Sequence, residues 1–179
     1  MQDNSPFELL TDIRQQAIEL SAQDVTYSTQ SAGVKNIAYV INGVNFYCES
    51  ADVREVSTCE NLMVVPQTKS WMRGLVNSKG VLYSVTDLAL FAGFERAIPA
   101  NRGHLLLLSD AESQSALLVN RVIGFRYFEG VKDLDLSDSH ELPDGLAAFV
   151  ISGHQVGDEN WYQLDIAALL ASEQFREVQ

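Results

Sequence analysis

Basic residues are scarce in this chain: 12 Lys and Arg stand against 24 Asp and Glu over 179 residues, a formal net charge of −12. Each contact with a nucleic-acid phosphate needs a cation, and a field of this sign repels polyanions, which argues against nucleic acid as a partner. Long apolar runs are missing as well. The longest, residues 105–108 and 146–151, fall far short of the roughly 20 residues of a helical membrane span, so no direct membrane insertion is expected. Cysteine is limited to Cys48 and Cys59, too little for the disulfide framework of a small secreted domain, and reduced thiols follow. The opening Met1-Gln-Asp-Asn-Ser-Pro6 has neither the basic nor the apolar region of a secretory signal, and a cytoplasmic location is expected. His104, His140 and His154 are widely spaced and no C-x-x-C or H-E-x-x-H occurs, which disfavours zinc. G-x-S-x-G, P-loop and G-x-G-x-x-G patterns are lacking too. No catalytic, cofactor or metal site is expected.

What the chain does have is apolar content: 46% hydrophobic residues supply a core for one ordinary domain or two small ones. Phe7, Leu10, Ile13, Ala17 and Leu20 recur at three-to-four spacing and predict an amphipathic helix over residues 7–20. Ser5 suits its cap, Pro6 its first position, and Glu8 its first turn, where a negative charge favours the dipole. Residues 21–33, rich in Ser, Thr, Gln and Ala, read as a linker, so residues 1–34 are assigned to helix and linker and residues 35–176 to the main domain.

There the period changes to two. Ile37-Ala-Tyr-Val-Ile41 and Val44-Asn-Phe-Tyr-Cys48 flank Asn42-Gly43, the preferred pair for a tight hairpin. Residues 80–85, 104–108, 115–119, 148–151 and 161–164 read as further short strands, and residues 88–94 and 166–175 as helices. Many short strands with few helices predict a β-barrel or sandwich, not βαβ units. Residues 129–144, with Glu129, Asp133, Asp135, Asp138, Glu141 and Asp144 against Lys132 alone, read as a solvated acidic loop, functional or simply a charged surface. The Gly and closing Glu of an EF-hand calcium loop are not in place there.

The central block is more specific. Val65-Pro66, then Trp71-Met-Arg73-Gly74-Leu-Val-Asn77-Ser-Lys79-Gly80-Val-Leu-Tyr-Ser84-Val85-Thr-Asp87-Leu88, then Gly93, strongly resembles the signature of CheW-like domains: V-P, an aromatic or apolar residue, and R-G-x-x-N-x-R-G-x-x-x-P-V-x-D-L. Upstream, Val53-Arg-Glu55-Val56 resembles the family's V-x-E-[IV]. Downstream, Leu118-Val119-Asn120-Arg121-Val122 is similar to its L-V-V-D-x-V strand, and Leu164-Asp165 with Leu169-Leu170 to its closing L-D-x-x-x-L-L. The leading Pro-Phe-x-Leu-Leu-x-x-Ile is similar to the PilI-type adaptors of the type IV pilus chemosensory pathway, which controls twitching motility.

The resemblance implies a mostly β fold of two five-stranded SH3-like barrels, intertwined and divided near residues 95–103, with a C-terminal helix. It implies a non-catalytic coupling protein without cofactors that joins the regulatory domain of a CheA-type histidine kinase to the cytoplasmic tip of methyl-accepting receptors, in arrays at the membrane. Val53, Glu55, Val56, Arg73, Asn77, Lys79 and Asp87 are then the partner-binding candidates. Gly74, Gly80, Val85, Leu88, Leu164 and Asp165 are motif positions with structural roles.

Several candidates carry a second reading. Val53 and Val56 are either exposed anchors or core. Asp87 is either a contact or the cap of the helix that follows it. Arg73 is either an interface charge or a surface residue whose stem covers apolar area. Gly74 and Gly80 read as backbone requirements. Lys79 stands where the family has Arg, which replaces a bidentate fork by a point charge. Ser84 stands for Pro and regains an amide donor, and Asn120 stands for Asp. Alternatives from other classes are a thiol- or histidine-dependent enzyme using Cys48, Cys59 or a histidine, and a stand-alone ligand-binding barrel. A reactive low-pKa thiol would mark the first. Finally, residues 61–102 hold five basic against two acidic residues, a local +3 on a body of −15. Such asymmetry orients partners if the bases share a face.

Overall fold

Two hairpins frame the first half of the domain in the computed structural model, which describes residues 33–110, 113–136 and 141–177. Strands β1 (Asn36–Ile41) and β2 (Val44–Glu49) close on Asn42-Gly43 in the expected register, Ile41 opposite Val44. A 3-10 turn, Ser50–Asp52, leads into β3 (Val53–Thr58). The second hairpin joins β4 (Met72–Ser78) to β5 (Val81–Asp87). Its two-residue turn, Lys79-Gly80, has φ of 51° and 87°, the positive angles that match a tight turn to the twist of its strands.

Helix α1 (Leu88–Phe91), β6 (His104–Leu108), β7 (Ser115–Val119), β8 (Arg121–Arg126) and the short β9 (Lys132–Asp133) follow. Helix α2 (Asp144–Ala147), β10 (Val150–Val156), β11 (Glu159–Leu164), α3 (Ile166–Ala171) and α4 (Glu173–Arg176) complete the described chain. The helix expected over residues 7–20 lies outside the described residues, and one compact unit begins at Val34.

The strands form two sheets, ordered β8-β1-β2-β11-β10-β9 and β3-β6-β7-β5-β4. The mostly β architecture is as expected, but the first sheet has six strands because the acidic segment contributes β9, paired with β10 through His154–Asp133 and Gln155–Lys132. That segment is therefore not all solvated loop: Leu134 and Leu136 pack against the core, and α2 starts at Asp144. The chain crosses between sheets after β2 and again after β7. Residues 95–103 join α1 to β6 inside the second sheet and so are not the division between the two.

Central strands β6 and β7 read His-Leu-Leu-Leu-Leu and Ser-Ala-Leu-Leu-Val, continuous runs as expected of strands covered on both faces, and all residues but His104 are buried. One core links the sheets, from Tyr39 and Phe46 through Leu106 and Leu117 to Leu169 in α3. Helical ends depart from the sequence expectation in a simple way. Helix α1 stops at Phe91, and the 166–175 stretch breaks at Ser172, which has extended backbone and caps α4 by accepting from the Phe175 amide. Residues 148–149 form the turn that follows α2, and the strand starts at Val150.

Candidate partner-binding face

Strands β3 and β4 lie at opposite ends of the second sheet, yet both line a cleft of about 160 Å³ together with Leu105 and Leu107 of β6. The sheet is curled enough to bring its ends together, and an ion pair ties them. Lys79 Nζ donates to Glu55 Oε2 at 2.6 Å. Lys79 reaches it because the turn places it at the tip of the β4–β5 hairpin, where Asn77 Oδ1 accepts from the Gly80 amide at 2.9 Å. Arg54 Nη1 adds a long bond of 3.5 Å to the Tyr83 hydroxyl. With Lys79 78% exposed and Glu55 31%, the pair contributes about 0–1 kcal/mol to folding and bears more on partner choice.

The two valines separate. Val53 opens β3 at 8% exposure and belongs to the core, whereas Val56 is 41% exposed. Three residues apart on one strand, they fall on opposite faces, in step with the alternating burial along β3. Leu82 on β5, directly opposite Asn77, is also exposed, at 47%. Sequence reasoning missed it, although alternation with Tyr83 and Val85, both buried, points it outward.

Arg73 and Asp87 pair with each other. Asp87 has no exposed surface. Its Oδ1 accepts from the Ala89 and Leu90 amides at 3.0 and 3.2 Å, capping α1, and its Oδ2 accepts from the Ile98 amide and Arg73 Nη1, both at 2.8 Å. Arg73 also donates to the Ile98 carbonyl at 3.2 Å. With its side chain 25% exposed, it is the counter-ion of a buried carboxylate. The motif positions are structural throughout. Val85, Leu88 and Leu164 are core, and Asp165 caps α3 by accepting from the Ala168 amide at 2.8 Å. Gly74 sits at a register shift in β4 with φ of 135°.

The substituted positions also find local uses. The Ser84 amide donates to the Gln114 carbonyl at 3.0 Å beside the parallel β5–β7 pairing, a bond proline could not make. Asn120 Oδ1 accepts from the Asn42 amide in the first hairpin turn at 2.8 Å. Three of the five bases of the basic stretch, Arg73, Lys79 and Lys69, are in ion pairs with Asp87, Glu55 and Glu177.

Both cysteines are buried and unbridged. Burial, reinforced by the Asp52 charge, pushes the Cys48 thiol far above its ordinary value. Burial raises Cys59 as well, against the opposing effect of Arg73. The thiol, not the thiolate, is then the resting form of each. With a disulfide-exchange reagent at neutral pH, Cys48 is expected to stay unreacted until denaturant is added, and Cys59 to react more slowly than a free thiol; a rapid native phase would contradict this. Among the described residues there is no group of three or more His, Cys, Asp or Glu placed to hold a metal ion, and no helix long and apolar enough to cross a membrane.

A signature whose residues build a hairpin tip, a capped helix and one exposed strand end describes a binding scaffold, and the sequence matches the CheW-like domain over residues 37–174. The chain belongs to this family, whose members are adaptor and scaffold proteins of chemotaxis-type signalling without catalytic activity. More narrowly, it is similar to Protein PilI of Pseudomonas aeruginosa, 27% identical over 124 residues, covering 69% of this chain and 70% of that protein. Its fold is similar to that of the scaffolding protein TtCheW from Thermoanaerobacter tengcongensis, with a TM-score of 0.66 and 15% identity over 82% of this chain and 94% of the other.

Proposed function

We propose that this chain couples methyl-accepting chemoreceptors to a CheA-type histidine kinase in the cytoplasm, at receptor arrays of the pathway that controls type IV pilus twitching motility. The observation that carries the reading is the face formed by β3 and the β4–β5 turn. It presents the Glu55–Lys79 pair at 2.6 Å with Val56 and Leu82 exposed nearby in sequence. An exposed strand with one charge pair and a few apolar anchors is what a partner domain can dock on, the anchors supplying most of the affinity and the charges the selectivity. The likeness to PilI supports the pilus pathway.

The test is direct binding to the purified regulatory domain of the kinase, followed by titration calorimetry. Glu55→Lys and Val56→Asp are each expected to weaken binding about tenfold or more, with circular dichroism and melting temperature unchanged because both side chains reach the surface. Val53→Asp serves as the contrast, since it places a charge in the core and unfolds the domain. Failure of the folded wild-type chain to bind at tens of micromolar would refute the coupling role.

A further inference from the structure

Two hairpins of this chain close on the same kind of turn, and only one of them carries the residue that such a turn favours. Asn42-Gly43 has φ of 45° and 89°, Lys79-Gly80 has 51° and 87°, and each pair follows directly on the last matched residues of its ladder, Ile41 opposite Val44 and Ser78 opposite Val81. Left-handed angles suit asparagine and glycine, whereas a lysine takes them under strain. Strain of this kind persists where the surroundings hold it, and it collects at functional positions.

The surroundings of the second turn are sparse. A carbon added at Gly80 would meet no atom within 4 Å, and the Lys79 side chain is 78% exposed. Among the described residues, two side-chain hydrogen bonds hold the tip: Lys79 Nζ to Glu55 Oε2 at 2.6 Å, and the Gly80 amide to Asn77 Oδ1 at 2.9 Å. The Gly80 amide lies outside the ladder, so Asn77 gives it the partner that the opposite strand does not. In the first hairpin the matching place belongs to Val40, opposite Asn45 as Asn77 is opposite Leu82. That turn is held from another part of the chain, by Asn120 Oδ1 accepting from the Asn42 amide at 2.8 Å. The second turn thus has the less suitable residue at its tip and a clamp of its own two positions upstream.

We infer that Asn77 is a positioning residue for Lys79: its side-chain oxygen fixes the turn from which the ammonium reaches Glu55 and the docked partner, and Asn77 itself does not touch the partner. This rests on the coupling role proposed above, in which the face with the Glu55–Lys79 pair receives the regulatory domain of the kinase. The lysine stem is flexible, so the place of its backbone decides where its charge can be found. With the Gly80 bond gone, that amide turns to water, the turn samples other conformations, and the charge spreads over a wider volume. A partner selected by charge geometry then binds less well although no contact group has been removed.

The experiment is a double-mutant cycle read by titration calorimetry against the purified regulatory domain of the kinase, with hydrogen exchange at the Gly80 amide as a second readout. Asn77→Ala is expected to weaken binding about fivefold and to speed Gly80 exchange about tenfold. Asn77→Asp keeps an acceptor oxygen in the same place and is expected to restore both to within about twofold of the wild type. In a Lys79→Ala background, Asn77→Ala is expected to leave affinity unchanged, because the residue it positions is gone. Three results would overturn the inference and leave the coupling role standing: wild-type affinity in Asn77→Ala, an equal loss from Asn77→Ala with and without the lysine, or failure of Asn77→Asp to restore binding and Gly80 protection. No binding by the folded wild-type chain refutes the coupling role instead, and the inference falls with it.

Discussion

Gly74→Ala is expected to remove about 3–5 kcal/mol of stability, combining the strain of a left-handed backbone with forced repacking. Gly74 stands where β4 shifts register against β5, at φ of 135°, an angle a side chain resists. A Cβ there would run into the Met63 carbonyl and come within 3.0 Å of Val64 Cα. Neither obstacle is the end of a flexible side chain. Moving Met63 would break the reciprocal bonds, both 2.8 Å, in which Met63 and Leu75 exchange amide and carbonyl along the outer edge of β4. Gly80→Ala is the control, because its φ is also positive at 87° but no atom lies within 4 Å of the added carbon; it is expected to cost about 1 kcal/mol. Urea unfolding of the two variants checks the difference. Equal losses would show that crowding by Met63 contributes nothing.

The same comparison explains what the sequence made legible. Gly74 and Gly80 both read as backbone requirements, but only the three-dimensional path of residues 63–64, which return to the edge of β4 through one isolated bridge, distinguishes a crowded glycine from an open one. Hairpin β1–β2, central strands β6 and β7, and β11 followed by α3 were readable because period two, continuous apolar runs, Asn-Gly and Leu-Asp act locally. Strands β3 and β8 were harder. Each carries a register shift, so polar and apolar residues fall out of alternation, and β8 includes Gly124 at φ of 128°. Strand β9 gave no local signal at all, since two residues, Lys132 and Asp133, join the sheet only through their match to Gln155 and His154.

The candidate face shows the same limit. Glu55 and Lys79 lie 24 residues apart, and motif spacing found both because the hairpin tip must reach back to β3. The motif did not separate side chains that make the face from those that build it. Val53 and Val56 look alike in sequence and end on opposite sides of the burial divide. Charge behaves similarly: a segment at +3 looked able to steer partners, but most of its bases answer acids brought close by folding. What remains exposed around the Glu55–Lys79 pair is a small surface with Val56 and Leu82 near it in sequence.

Asp87→Ala is expected to cost about 3–5 kcal/mol, the range for breaking a buried ion pair by removing one partner. The carboxylate is fully buried and accepts from four donors, two at the start of α1, one at Ile98 and one on Arg73. Its loss uncaps a helix of one turn, frees the segment that Ile98 anchors, and leaves a guanidinium with only the Ile98 carbonyl as partner. Asp87→Asn is expected to lose nearly as much. Both carboxylate oxygens accept, so whichever one the amide nitrogen replaces, it meets donors instead of an acceptor. Adding Arg73→Leu to Asp87→Ala is expected to recover part of the loss, a coupling of about 1–3 kcal/mol, because the unpaired charge goes with it. Chemical denaturation of the wild type, Asp87→Ala, Arg73→Leu and the double variant measures this cycle, and hydrogen exchange at the Ile98 and Ala89 amides reports it locally. The same variants separate the two readings of this aspartate: a capping ion pair predicts lost stability with kinase binding retained by whatever fraction stays folded, whereas full stability with lost binding would return Asp87 to the contact surface.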